Sequence, residues 1–181
     1  MTGNPNRMIN LETTDNWERV DLRSLMSKVN EAAGAKKWLF VWDKLGAVAS
    51  FFRYQQRLCE FGSEMRAVNR GARSLDMALE MLGYHVECVQ RSGGRLLVDL
   101  DDSSPDFNDQ AFSKGENFSA EKAFEGGHLP AYEGGHWDQG NQMTDFGLAL
   151  RCSAQDEQDM LAVLKKIPNS DKFEHVIVEE A

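Results

Sequence analysis

The string LLVDLDDSSPD, Leu96 to Asp106, sets Asp99, Asp101 and Asp102 at the end of an apolar run. Carboxylates gathered at a strand end are oxygen ligands for a divalent cation, and beside a cation they become candidate nucleophiles and proton carriers. The preceding string YHVECVQRSGGR, Tyr84 to Arg95, alternates apolar and polar residues and carries His85 and Glu87. Together the two strings read as a β-hairpin with Ser92-Gly93-Gly94 as a three-residue loop. That register sets Cys88 across from Val98 and Val86 across from Leu100, on one apolar face. A two-residue Gly-Gly turn would instead oppose Cys88 to Asp99. The other face then carries His85, Glu87, Asp99 and Asp101, with Glu87 opposite Asp99. Like charges so placed repel. A divalent cation held by Asp99, Asp101, His85 and Glu87 would relieve the repulsion. Solvation, or arginines from elsewhere in the chain, would do so without metal. In that case Asp99→Asn is expected to stabilise the fold.

The same Asp99 to Asp101 string is similar to the first motif of haloacid-dehalogenase-type phosphotransferases, where two Asp flank one residue after an apolar strand. The resemblance covers fewer than ten residues, and Ser103 stands where Thr is usual. It implies Asp99 as nucleophile and Asp101 as general acid/base, with a divalent cation. A metal-dependent phosphohydrolase or phosphotransferase at Asp99, Asp101 and Asp102 is therefore the enzymatic alternative for this chain.

Two further patterns have chemical potential. Glu-Gly-Gly-His occurs at Glu125–His128 and again at Glu133–His136. These residues include metal-ligand types, but paired glycines preorganise ligands poorly, so a turn-rich surface loop anchored by Tyr132 and Trp137 is the plainer reading. Arg66, Arg70 and Arg73 fall at i, i+4 and i+7, along one helical face. Such a stripe suits an acidic partner or phosphate, or it is a solvated face whose stems cover apolar surface. The four histidines, at 85, 128, 136 and 175, sit in no nucleophile motif.

Charge is unevenly placed. The formal net charge is −9. Lys36–Arg73 holds eight Lys/Arg against three Asp/Glu, a balance of +5, whereas Asp101–Asp145 holds two Lys against ten Asp/Glu, a balance of −8. An acidic whole argues against general nucleic-acid binding, which needs a positive face. No apolar run is long enough to span a bilayer, and the opening lacks the layout of a secretory signal. Three well-separated cysteines, Cys59, Cys88 and Cys152, show no zinc spacing and read as reduced core residues of a cytoplasmic protein.

The elements that must position these groups follow from periodicity. Residues 1–14 read as a polar tail and 15–181 as a single domain. Leu22, Leu25, Met26, Val29 and Ala33 predict a helix ending at Gly34. Residues 38–65 carry two apolar helical stripes, which predicts a central helix, with a strand at WLFVW as the competing reading. Ser74 caps a shorter helix closed by Gly83. After the hairpin, 103–144 is a long acidic loop without clear periodicity. DFGLALRC alternates as a strand, a helix capped by Ser153 follows, and KFEHVIVEE closes the chain as a strand-helix-strand crossover. The expected fold is α+β, with N-terminal helices on one face of a roughly four-stranded sheet that contains the hairpin and the C-terminal β-α-β unit.

The expected function is that of a non-enzymatic interaction or scaffold domain, a subunit of a larger assembly that binds protein and no cofactor. The acidic loop would supply Phe118, Phe124, Tyr132 and Trp137 as aromatic anchors, and the basic helix Arg66, Arg70 and Arg73. A narrower version is an inhibitor or immunity-type binder of a basic target, with salt-sensitive affinity.

Overall fold

The computed structural model describes residues 11–114, 118–125 and 145–180. Its centre is a six-stranded sheet, all parallel, in the order β1-β6-β2-β5-β4-β3. The strands are β1 Glu18–Val20, β2 Leu39–Asp43, β3 Arg57–Cys59, β4 Gly94–Asp101, β5 Phe146–Cys152 and β6 Glu174–Val178. The helices are α1 Leu25–Gly34, α2 Val48–Gln55, α3 Phe61–Asn69, α4 Leu75–Ser92, the short α5 Ala120–Ala123, and α6 Glu157–Lys165. The layout is doubly wound α/β, which overturns the four-stranded α+β sheet and its hairpin.

The reasons lie in two misleading stretches. WLFVW is a strand, and the chain after it breaks into α2, β3 and α3, so no central helix exists. All five residues of β2 are buried. A strand covered on both faces is a continuous apolar run, and such a run offers helical spacings as readily as alternation. The second stretch is YHVECVQRS, which continues α4. Leu79, Leu82, Val86 and Val89 form its buried face, Gly83 is absorbed inside the helix, and Gly93 takes φ 73° just past its end. Residues 84–92 therefore never pair with β4. β4 instead joins β3 and β5, both parallel to it.

Helices cover both faces. Leu25, Val29 and Ala32 of α1 and Val48 and Phe52 of α2 pack on Leu39, Val41, Leu97, Ala149 and Val176. The opposite face takes α3, α4, α5 and α6 against Phe40, Trp42, Leu96, Val98, Leu148 and Ile177. The crossovers from β1 to β2 and from β2 to β3 run one way on the first face. Those from β3 to β4 and β5 to β6 run the other way on the second, where α5 of the β4–β5 connection also lies, so these four crossovers share one hand. β5 and β6 form the expected crossover, with β2 lying between them.

Gly62 lets α3 approach the sheet. A Cβ there would lie 2.2 Å from the carbonyl oxygen of Leu100. Ser74 caps α4 by accepting from the Met77 N–H, whereas α6 is capped by Asp156 in place of Ser153. The acidic stretch after β4 is built into the core where it is described. Phe107 sits 5.8 Å from Phe61 and 5.3 Å from Phe124, ring centre to ring centre, and Phe124 lies 5.1 Å from Trp38. Among the described residues no helix is long and apolar enough to cross a membrane.

Candidate functional site

In an open α/β sheet, ligands bind outside the carboxyl ends of the strands, where neighbouring strands send their helices to opposite faces. Here that point lies between β2, followed by α2 on one face, and β5, followed by α6 on the other. β4 adjoins β5 on the far side. Val41 and Asp99 both pair with Arg151 in register. The two-residue period then sends Asp43, Asp99 and Arg151 to the same face as Val41, Leu97 and Ala149. Three adjacent strands thus bring two carboxylates and one guanidinium to the switch point.

Arg151 organises the cluster. Its Nε donates to Asp43 Oδ2 at 3.0 Å, and its Nη2 lies 3.0 Å from the same oxygen. Its Nη1 donates to Asp99 Oδ1 at 2.8 Å and to Asp101 Oδ1 at 3.3 Å. The side chains of Arg151 and Asp43 are 5% and 0% exposed, so water screens this pair little. Burial alone would lower the Arg151 pKa; the hydrogen bond and charge of Asp99, and then Asp43, outweigh it and raise it.

The remaining lone pairs of Asp43 are used as well. The N–H groups of Leu45 and Gly46 donate to its Oδ1 at 3.1 and 2.9 Å, and the Val48 N–H donates to Oδ2 at 3.1 Å. Amides converging where a strand turns into a helix form a place that accepts anions. The chain's own carboxylate takes that place.

Asp101 closes the outer side. A register shift between Asp99 and Asp101 puts Asp101 at φ 53° and lets its N–H donate to Asp99 Oδ1 at 2.9 Å. Its carboxylate accepts from the Ser153 hydroxyl at 3.0 Å and from Arg66 Nη1 at 3.0 Å, and Arg66 also donates to Asp102 at 2.7 Å. Partial burial pushes the Asp101 pKa up. The Ser153 hydroxyl, Arg66 and Arg151 together hold it below the usual carboxylate value. The cluster as a whole sets Asp43, Asp99, Asp101 and Asp102 against Arg151 and Arg66. It is charge-paired at its centre and acidic at its rim.

Of the residues read from sequence, the structure brings Asp99, Asp101, Asp102 and Arg66 together. His85 and Glu87 are on α4, away from that set. Glu87 pairs with Arg91 at 2.9 Å, and the His85 ring lies beside Tyr84, its pKa lowered by burial and then by Arg57. The four-residue metal set is therefore not assembled, and among the described residues no three His, Cys, Asp or Glu side chains are arranged to hold a metal ion. Glu87 does not face Asp99. Asp99 is salt-bridged to Arg151, so Asp99→Asn is now expected to weaken the fold. Arg70 ends α3 without an ion-pair partner among the described residues, and Arg73 pairs with Glu64 at 2.7 Å. Phe118 and Phe124 are 3% and 1% exposed, which corrects their reading as anchors offered to a partner. Tyr132, Trp137, His128, Glu133 and His136 lie outside the described residues.

Sequence reasoning missed Asp43, Arg151 and Ser153. The signal was one arginine inside the otherwise apolar FGLALRC and one aspartate closing LFVWD. Charges within strands buried on both faces must find each other. A shallow groove elsewhere is lined by Glu18, Arg19, Asp21, Lys28, Glu31 and Glu179, among others, and by none of the switch-point residues.

No protein-family model and no curated protein matches the sequence. Among solved structures the chain is similar to the Aeropyrum pernix ORC2 protein in its ADPNP–ADP complexes, at 13% identity and a TM-score of 0.35. The match covers 91% of this chain and 49% of that one, so the chain spans about half the length of that protein. A likeness at this level carries no functional argument.

Proposed function

We propose that the chain is a non-enzymatic protein-interaction domain, a subunit of a larger assembly, built on a doubly wound sheet whose ligand position is filled from within. The observation that carries this reading is the buried Asp43–Arg151–Asp99 cluster at the switch point. Its cation is the Arg151 guanidinium, and its anion in the β2–α2 turn is the Asp43 carboxylate. A ligand entering there would first have to break a buried ion pair, which costs several kcal/mol, about 3–5 in typical cases. An intracellular place for the domain fits its free Cys59, Cys88 and Cys152, two of them buried.

The enzymatic rival needs Asp99 to act as a nucleophile. Asp99 Oδ1 already accepts from Arg151 and from the Asp101 N–H, and its charge is neutralised. A nucleophile so engaged is blunted. The experiment is a turnover assay of the full chain with a phosphomonoester and with a nucleoside triphosphate, each in Mg2+ and in Mn2+. The expected result is a rate equal to the blank for wild type and for Asp99→Asn alike. Metal-dependent turnover that Asp99→Asn abolishes would establish the rival.

A further inference from the structure

We propose that the outward face of α4 is a docking surface for a basic amphipathic helix of a partner protein. This rests on the interaction-domain reading and names the surface it uses. α4 is 18 residues long and turns Ala78, Leu79, Leu82, Val86 and Val89 to the sheet. At about 100° per residue, Met77, Met81, Tyr84 and Cys88 fall together on the opposite side. Their spacing of four, three and four is that of a seam into which another helix sets its side chains.

The seam is open. Met77 is 53% exposed and Tyr84 59%, two of the four exposed large hydrophobic residues among those described. Met81 is partly buried at the edge of the core, and Cys88 is half-buried. Single exposed hydrophobics are ordinary, but two of them seven residues apart on one helix face, with the half-buried Met81 and Cys88 continuing the row, are not scattered. Methionine at such a face adapts its shape to a partner, and tyrosine supplies a large anchor at small entropic cost.

Charge selects the occupant. Asp76, Glu80 and Glu87 line one flank of the seam, with Arg91 as the basic residue on that same side. Arg91 is already bound to Glu87, whereas Asp76 and Glu80 have no ion-pair partner among the described residues. Two copies of this face would bring acidic rims together, and a membrane surface with anionic headgroups would be repelled. A helix carrying Lys or Arg beside its apolar row meets the rim with opposite charge.

The test titrates the full chain against two synthetic amphipathic peptides, watched by fluorescence anisotropy. Both carry Leu at four-three-four spacing; one has Lys at the flanking positions and the other Glu. The Lys-flanked peptide is expected to bind saturably and more weakly as salt rises. Tyr84→Glu and Met77→Asp should each weaken it about tenfold or more with the melting temperature unchanged, and the Glu-flanked peptide should bind at least about tenfold less. No saturable binding, equal binding of both peptides, or binding untouched by Tyr84→Glu overturns the proposal. So does self-association that Tyr84→Glu abolishes, which would assign the face to a second copy. Turnover at Asp99 sinks the domain reading in a different assay, so the two failures are distinguishable.

Discussion

Two regions of the molecule invert the usual distribution of polarity, and they do so in opposite senses. At the carboxyl ends of β2, β4 and β5, charge is buried. Arg151 and Asp43 are almost fully removed from water, in the place where this kind of sheet ordinarily holds a ligand. On the outer side of α4, hydrocarbon is exposed, where a surface helix is ordinarily polar. The first inversion is closed, because each charge has its partner within the chain. The second is open at Met77 and Tyr84, which are more than half exposed. Where function is sought, the open one is the better place to look.

Breaking the closed region should give the largest effect. Arg151→Met leaves Asp43, Asp99 and part of Asp101 without their cation, and is expected to cost about 3–5 kcal/mol in urea unfolding, or to prevent folding. If it instead leaves stability unchanged, the carboxylates are neutralised by something other than Arg151. Phe124→Ala is expected to cost a comparable 3 kcal/mol or so, because the ring is buried against Trp38, Phe107 and Phe173. A partner-facing ring would lose binding with the fold intact, so this substitution separates core from interface directly.

A smaller effect comes from His175, on β6. Its ring packs 4.7 Å from Trp17, and burial, outweighing the opposing pull of Glu174 and the neighbouring backbone, holds its pKa down to about 4. The neutral ring is the folded form, while the unfolded chain takes up a proton near pH 6.5. Stability is therefore full above that value and declines as pH falls toward 4, by up to roughly 3 kcal/mol. His175→Phe should flatten this slope in unfolding measured across the same pH range. A slope that survives the substitution would place the titrating group elsewhere.

The smallest effect belongs to the open region. Tyr84→Glu on the outer side of α4 should change stability by less than about 0.5 kcal/mol, as expected for an exposed site. A larger loss in the same urea unfolding would mean that the row is already covered within the chain.

What the sequence disclosed follows the same division. α1, β5, α6 and β6 were legible because each has one clear period and a recognisable end. Leu25 and Val29 face one way along α1, and Lys165 closes α6. The stretch from Trp38 to Met65 was not, since β2 is buried on both faces and loses its alternation. Val86 and Cys88 misled in the other direction, because alternate residues at the end of α4 mimic a strand while Leu79, Leu82, Val86 and Val89 keep the helical period. That error moved β4 into a hairpin and placed His85 and Glu87 beside Asp99. The cluster of Asp99, Asp101 and Asp102 was visible as charge, but its organiser was not. Arg151 lies about fifty positions away, and only the parallel order of β2, β5 and β4 brings it there.

The most direct measurement is calorimetric titration of the wild-type protein with a nucleoside triphosphate and Mg2+, and separately with inorganic phosphate. With Asp43 and Arg151 filling the switch point, no saturable heat and no rise in Tm are expected from either. Saturable binding accompanied by a higher Tm would contradict the internal closure of that crevice.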